Sequence, residues 1–387
     1  MQIINAKIFT MVGGEFIENG FVSINDGIIT AVGDMSEFED NFDDKLDAAG
    51  KILVPGFIDA HTHVGMWEDS LGFEGDDGNE DTDPSTPHLR AIDAVNPFDR
   101  CFDDALRAGI TTVLICPGSA NPIGGQGVLM KTYGTTTESR LVNEASVMKM
   151  ALGENPKSTY HSKNQTPVTR MATAAIIREQ LSKAMRYKKD LETGINDEDC
   201  DEPELDIKCE ALLPVLDGDM KLHIHAHRAD DIMTALRICK EFSLEPVIVH
   251  VTDGEIIKNE LKNANVAALC GPVLCDRSKP ELKNLSPRTA AVLSENDVLT
   301  AIITDHPVIP IEYLPICAAL CVKNGMDYMK ALEAITINPA KILGIDKNVG
   351  SVEVGKSADI AIFDGDPLNI MSKCEYVFVN GEMTVFA

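Results

Sequence analysis

Short apolar runs alternate with helical segments along most of this chain, and polar groups recur where the runs end. Ile52-Leu-Val-Pro-Gly-Phe-Ile-Asp-Ala-His-Thr-His63 closes on two imidazoles. Lys221-Leu-His-Ile-His-Ala-His227 carries three more, and Pro246-Val-Ile-Val-His250 ends in another. Leu299-Thr-Ala-Ile-Ile-Thr-Asp305 repeats the pattern with a carboxylate. Apolar runs of this length between helices predict strands buried on both faces, as in a parallel sheet. Polar residues placed repeatedly at the C-terminal ends of such strands are how a (β/α)8 barrel builds an active site. The predicted class is therefore α/β, a TIM barrel.

The other units fill in around these strands. Arg100 to Arg107 reads as a helix, Gly109–Cys116 as the second strand and Gly127–Tyr133 as the third. The segment Ala145–Pro156 carries the fourth, with Lys149 within the strand and Glu154 just after it, and a long helix over Thr166 to Asp190 follows. Helices over Asp230–Phe242 and Gly254–Asn263 follow the fifth and sixth strands, and Val266–Cys270 is the seventh. Helices over 312–325 and 327–344 close the barrel. Outside it, residues 2–50 alternate, with hairpin signals at Gly13-Gly14, Asn19-Gly20 and Asp26-Gly27, and 350–387 do the same. Neither flank is large enough to bury its own core. The expected organisation is a composite β-sandwich from 1–54 and 348–387 around a barrel spanning 55–347.

Composition narrows the partners. With 44% apolar residues the chain can build a large core, and no window approaches a membrane span. The N-terminus lacks a secretory signal. Ten cysteines without paired spacing read as reduced core thiols of a cytoplasmic protein. A net charge of −27 argues against nucleic acid or an anionic membrane as partner, leaving a small molecule. A homo-oligomer is compatible with everything in the sequence. Acidic stretches at Glu68 to Asp83 and Asp190 to Asp206 read as solvated loops, the first placed where it could cover the site.

Residues two apart on a strand share a face, so His61 and His63 can reach one point beyond the strand end, as two corners of a metal site. Pro55-Gly-Phe-Ile-Asp-Ala-His-Thr-His63 resembles the first-strand signature of the amidohydrolase superfamily of metal-dependent hydrolases. The segment around His225 resembles its imidazolonepropionase and prolidase-like branch. The resemblance implies metal ligation by His61 and His63, by His225 from the fifth strand and by His250 from the sixth. It also implies that Asp305 both touches metal and moves protons. His223 shares the face of His225 but sits deeper, and His227 lies past the strand end. The fourth strand offers two bridging groups: Glu154, taken as the ligand, and Lys149 as the alternative after carbamylation.

The expected activity is hydrolysis of an amide or cyclic-amide C–N bond, non-peptide or dipeptide-like, by metal-activated water. Asp305 would be general base and then general acid. One or two divalent ions are implied, zinc first, with manganese, iron or nickel able to replace it. A mononuclear deaminase of a heterocyclic ring and a non-catalytic structural relative are the alternatives. Three residues are candidates for gripping substrate: Gln126 in the glycine-rich loop 117–126, Arg228 past the fifth strand, and His306 beside Asp305.

Overall fold

In a computed structural model the chain forms two eight-stranded sheets. The structure describes every residue except 15, 69–71, 197–201 and 386–387, so parts of both acidic stretches lie outside it. The barrel strands are β1 (Phe57–Thr62), β2 (Ile110–Ile115), β3 (Ile123–Lys131), β4 (Leu141–Ala151), β5 (Lys221–Ala226), β6 (Pro246–His250), β7 (Ala267–Cys270) and β8 (Thr300–Ile302). They pair in chain order. Ile58, Ala60, Leu114, Val147, Val249, Leu269 and Ala301 form one apolar cluster from all around the sheet, the barrel interior. Val113, Met148, Leu222, Ile224 and Ile248 alternate with them and pack against the helices.

One strand departs from the expected parallel barrel. β3 runs antiparallel to both β2 and β4, with Thr112 opposite Lys131 and Gly127 opposite Val147. The cause is the length of the connection: residues 116–122 cannot provide the crossover of a dozen or more residues that a parallel pair needs. The strand therefore begins at Ile123, earlier than the run 127–133 suggests. The long helix, Arg170–Asn196, is shifted a few residues C-terminal of its predicted span.

β1 and β8 meet at a seam tied by polar groups. Thr304 donates to Asp59 Oδ2 from its backbone N–H (3.1 Å) and from its hydroxyl (2.6 Å). The His63 N–H donates to the His306 carbonyl at 2.9 Å. The register of β1 against β2 slips between Asp59 and Thr62. That slip lets Ile58 and Ala60 join the interior cluster while His61 and His63 still reach the pocket above it.

The second sheet draws strands from both chain ends, as one connected layer rather than two separate sheets. Ile52–Pro55 joins them, pairing parallel with Gln2–Phe9 and antiparallel with Ile360–Phe363. The apolar run at the first strand is thus two strands that change sheet at Gly56. A Cβ on Gly56 would lie 2.3 Å from the Thr111 side chain, so only glycine fits that crossing. A buried ion pair, Lys131 Nζ to Asp359 Oδ2 at 2.5 Å, links β3 to the terminal sheet.

Candidate metal centre

Polar groups gather at the C-terminal mouth of the barrel, in a pocket of about 490 Å3. His61, His63, Lys149, His225, His227, His250 and Asp305 all line it. Two sets of metal-ligating atoms stand out, each within 4.8 Å of one another: His61, His63 and Asp305, and His225, His227 and His250.

The first set sits at the seam. Asp305 Oδ1 lies 3.4 Å from His61 Nε2 and 3.3 Å from His63 Nε2. Those are the ligand-to-ligand edges, about 3.3 Å, of a tetrahedron with metal–nitrogen bonds near 2.05 Å. His63 Nδ1 lies 2.7 Å from the Cys116 carbonyl, which can only accept, so the ring donates there and keeps an Nε2 lone pair for metal. Asp305 has a φ of 56°, and His250 one of 79°. Such left-handed backbone costs a non-glycine residue of order 1–3 kcal/mol and persists where surrounding structure enforces it, often at functional sites.

In the second set, His250 Nδ1 donates to the Gly271 carbonyl at 2.8 Å, again leaving Nε2 free. His227 Nδ1 is 2.7 Å from Thr252 Oγ1, and its ring stacks on His250 at 4.4 Å. His225 Nε2 faces the Asn155 amide at 3.4 Å. The His61 and His250 rings are 5.7 Å apart, so the two sets adjoin.

The electrostatics suit ligation. Burial pushes His61, His225 and His227 well below the usual imidazole range, helped by Lys149 at His61 and by His250 at the other two. Burial lowers His250 as well. These rings are therefore neutral at physiological pH, the form that binds metal. Burial pushes Asp305 up, but the facing imidazoles of His250, His61 and His63 outweigh it and hold the carboxyl well below its ordinary value.

The two fourth-strand candidates separate clearly. Lys149 is buried in the pocket, its Nζ 3.4 Å from His61 Nε2 and donating to the Pro117 carbonyl at 3.2 Å. It stands opposite His223 in register, on the inward face of β4. Glu154 does not line the pocket. β4 ends at Ala151, and Glu154 opens the helix Glu154–Ser162 after Gly153, whose φ is 94°. Its carboxylate accepts the Glu281 N–H at 3.3 Å instead.

The three substrate-gripping candidates lie elsewhere too. Because β3 starts at Ile123, Gln126 is inside a strand, donating to the Pro87 carbonyl at 3.2 Å. The loop before it does reach the pocket, through Gly118, Ser119 and Ala120. Arg228 precedes the helix Ala229–Phe242 and forms a two-pronged pair with Asp230, both contacts 2.8 Å. His306 Nδ1 accepts the Ile311 N–H at 3.2 Å, and its contribution to the site is the carbonyl that fixes His63.

Several lining residues had no separate signal. Trp67 sets its ring edge-on to His63 at 4.5 Å, and Asn79 accepts the Ala120 N–H at 3.0 Å. They bring the segment after β1 over the pocket, while no described carboxylate of 68–83 lines it. Asn155 and Lys279 complete the rim, and the carboxylate of the buried Glu281 comes within 3.9 Å of His225 and 3.7 Å of His227. His227 is one further step of the alternation that begins at His223. Nothing in the sequence around Glu281 points to the barrel mouth.

A barrel with clustered histidines and an aspartate at its carboxyl mouth is the architecture of hydrolases that activate water on bound metal. The sequence profile of the amidohydrolase family matches residues 52–386, and the chain belongs to that family. It is a hydrolase of C–N bonds, other than ordinary peptide bonds, in small molecules. The amidohydrolase tasK of Hapsidospora irregularis is 30% identical over 390 residues, covering 94% of this chain but only 39% of tasK. A probable imidazolonepropionase of Bos taurus is 26% identical over 368 residues, covering 88% of this chain and 82% of the relative. A crystal structure of an amidohydrolase from Thermotoga maritima MSB8 is 40% identical with a TM-score of 0.96, covering 100% of both chains. Among the described residues no helix is long and apolar enough to cross a membrane.

Proposed function

We propose that this amidohydrolase works with two cations bridged by a carbamate on Lys149, and that it opens a small cyclic or dipeptide-like amide. The observation that carries this reading is the setting of Lys149. Its hydrogen-bond partners are a carbonyl and His61, with no carboxylate ion pair among the described residues. An ammonium there would be desolvated and unpaired, and burial lowers its pKa even against the opposing pull of Cys116 and Asp305. The resulting neutral amine can add carbon dioxide. A nitrogen–carbon bond forms, a proton leaves, and the anionic carbamate would offer two oxygens as metal ligands.

Bound cations would supply Lewis acidity and lower the pKa of water towards neutrality. His61, His63 and Asp305 would hold one, and His225 and His250 the other. Asp305 takes the proton of the attacking water and returns it to the leaving nitrogen, which fits a carboxylate kept ionised beside three imidazoles. Asn79, Ser119 and Asn155 offer the substrate hydrogen bonds from the rim, and Trp67 supplies an apolar wall. The nitrogen and carboxylate donors suit zinc best. Free thiols at all nine described cysteines fit a reducing compartment, the cytoplasm.

The test combines elemental analysis with the carbamate resonance of protein equilibrated with carbon-13 bicarbonate. The expected result is about two metals per chain and a carbamate signal. Lys149→Ala should abolish the signal and weaken metal retention, and Glu154→Gln should do neither. One metal, indifferent to Lys149, would favour the mononuclear deaminase mechanism. No metal under any loading would sink the hydrolytic reading.

A further inference from the structure

Glu281 is a carboxylate with almost no contact with water, on the 3-10 turn Pro280–Leu282 that follows β7. Its Oε1 lies 3.7 Å from His227 Nε2 and 3.9 Å from His225 Nε2. Both distances are too long for hydrogen bonds. They exceed by only a few tenths of an ångström the edge of about 3.3 Å between ligands on a tetrahedral metal with bonds near 2.05 Å. The contact that Oε1 does make is to a cation, the Lys279 ammonium at 2.7 Å. Lys279 is a third exposed and also donates to Asn155 Oδ1 at 2.6 Å, so it has somewhere to go.

From this geometry we infer a four-ligand cation site made by His225, His227, His250 and Glu281, with the Lys279 ammonium as the counter-ion that the metal displaces. The inference rests on the metal-dependent reading above and adds His227 and Glu281 to it. Three features support it. The three imidazoles already converge within 4.8 Å. The outer nitrogens of two of them are fixed, His227 by Thr252 and His250 by the Gly271 carbonyl, which orients their Nε2 atoms as outer-shell partners do at metal centres. Glu281 supplies the negative charge this cluster otherwise lacks.

The arrangement divides labour within the pocket. Beside a carbamate bridge on Lys149, the second cation would have four ligands of its own, His225, His227, His250 and Glu281, and would be held the more firmly. The first, with two imidazoles and the aspartate, would have one ligand fewer and more room for water. When the metal takes Glu281, Lys279 keeps Asn155 and turns its charge to the pocket, where an anionic group of a substrate could meet it.

The experiment uses the full-length His61→Asn/His63→Asn double variant, which isolates the second site. Zinc affinity is read by competition with a chromophoric chelator, and coordination by the visible absorption of bound cobalt(II). Removing an outer-shell partner alone weakens metal about 10–100-fold, so loss of a direct ligand in Glu281→Gln or His227→Asn should cost at least about 100-fold. Both should also shift the cobalt spectrum. Lys149→Ala should cost much less. Lys279→Met, which removes the competing ammonium, should tighten binding, a gain that misfolding cannot imitate. Unchanged affinity in Glu281→Gln and His227→Asn, with wild type still holding two metals, would overturn this inference alone. A wild-type protein that takes no metal would overturn both it and the metal-dependent reading.

Discussion

The two ligand clusters share one pocket but stand on different supports. His61, His63 and Asp305 come from adjoining strand ends at the barrel seam, held by the Cys116 and His306 carbonyls and by the Asp59 carboxylate, which ties Thr304. His225 and His250 are also strand-borne, but His227 lies past the end of β5 and is held by Thr252. Glu281 is supplied by the loop after β7. A strand-end ligand is positioned by sheet register, so its place is fixed before any metal arrives. A loop ligand is positioned by side-chain partners, so it can yield, as Lys279 must when Glu281 changes partner. The difference suggests one rigid cluster for chemistry and one adjustable cluster for holding.

The largest effect should come from breaking the rigid cluster at its shared carboxylate. Asp305→Asn keeps the shape of the side chain but removes both its charge and its basicity. A general base contributes roughly 10²–10⁴-fold, so kcat should fall by at least that range, with weaker metal retention at the first cluster. Steady-state turnover of any amide the wild type opens, read beside metal content, checks it. Activity within tenfold of wild type would mean that another group moves the proton.

The same contrast explains what the sequence made legible. His61, His63, His225, His250 and Asp305 all end apolar runs of strand length, and each does line the pocket. The preference for Glu154 over Lys149 had little physical footing in the sequence, because the two lie five residues apart on one segment and only the point where β4 stops separates them. The inverted β3 was hidden in the length of its connection, and with it the position of Gln126. The pairing of the two chain ends was visible because neither flank could bury a core alone. Glu281 and Lys279 were out of reach, since a loop's path depends on contacts that span more than a hundred residues, such as Lys279 to Asn155.

A smaller effect should come from loosening the seam without touching a ligand. Asp59 accepts from the N–H and hydroxyl of Thr304, and from the His61 N–H at 3.2 Å. Asp59→Ala strands those buried donors, each at a cost of about 1–3 kcal/mol, so the melting temperature should drop. Metal affinity at the first cluster should fall about 10–100-fold, as for other supporting groups. The second cluster should keep its affinity, because none of the described contacts of Asp59 reaches it. Equal weakening at both sites would show that the barrel mouth responds as one unit, and the comparison would fail.

The mildest change gives a probe of which cluster is filling. Trp67 is the one tryptophan in the chain, and its ring meets His63 edge-on at 4.5 Å. The indole N–H donates to Asp76, and Gly78 gives the ring room, since a Cβ there would lie 2.2 Å from it. The described ring contacts of Trp67 include no histidine of the second cluster. Cobalt(II) quenches nearby indole emission, so metal entering the first cluster should darken Trp67 strongly and metal at the second should darken it less. In wild type the quenching should therefore follow occupancy of the first cluster. In His61→Asn/His63→Asn the same titration should leave most of the emission while chelator competition still records binding. Trp67→Phe removes the signal and one exposed hydrogen bond, and should shift stability by no more than about 1 kcal/mol. If quenching instead tracked the second cluster, the two sites would be too closely coupled for a rigid and an adjustable half to be told apart.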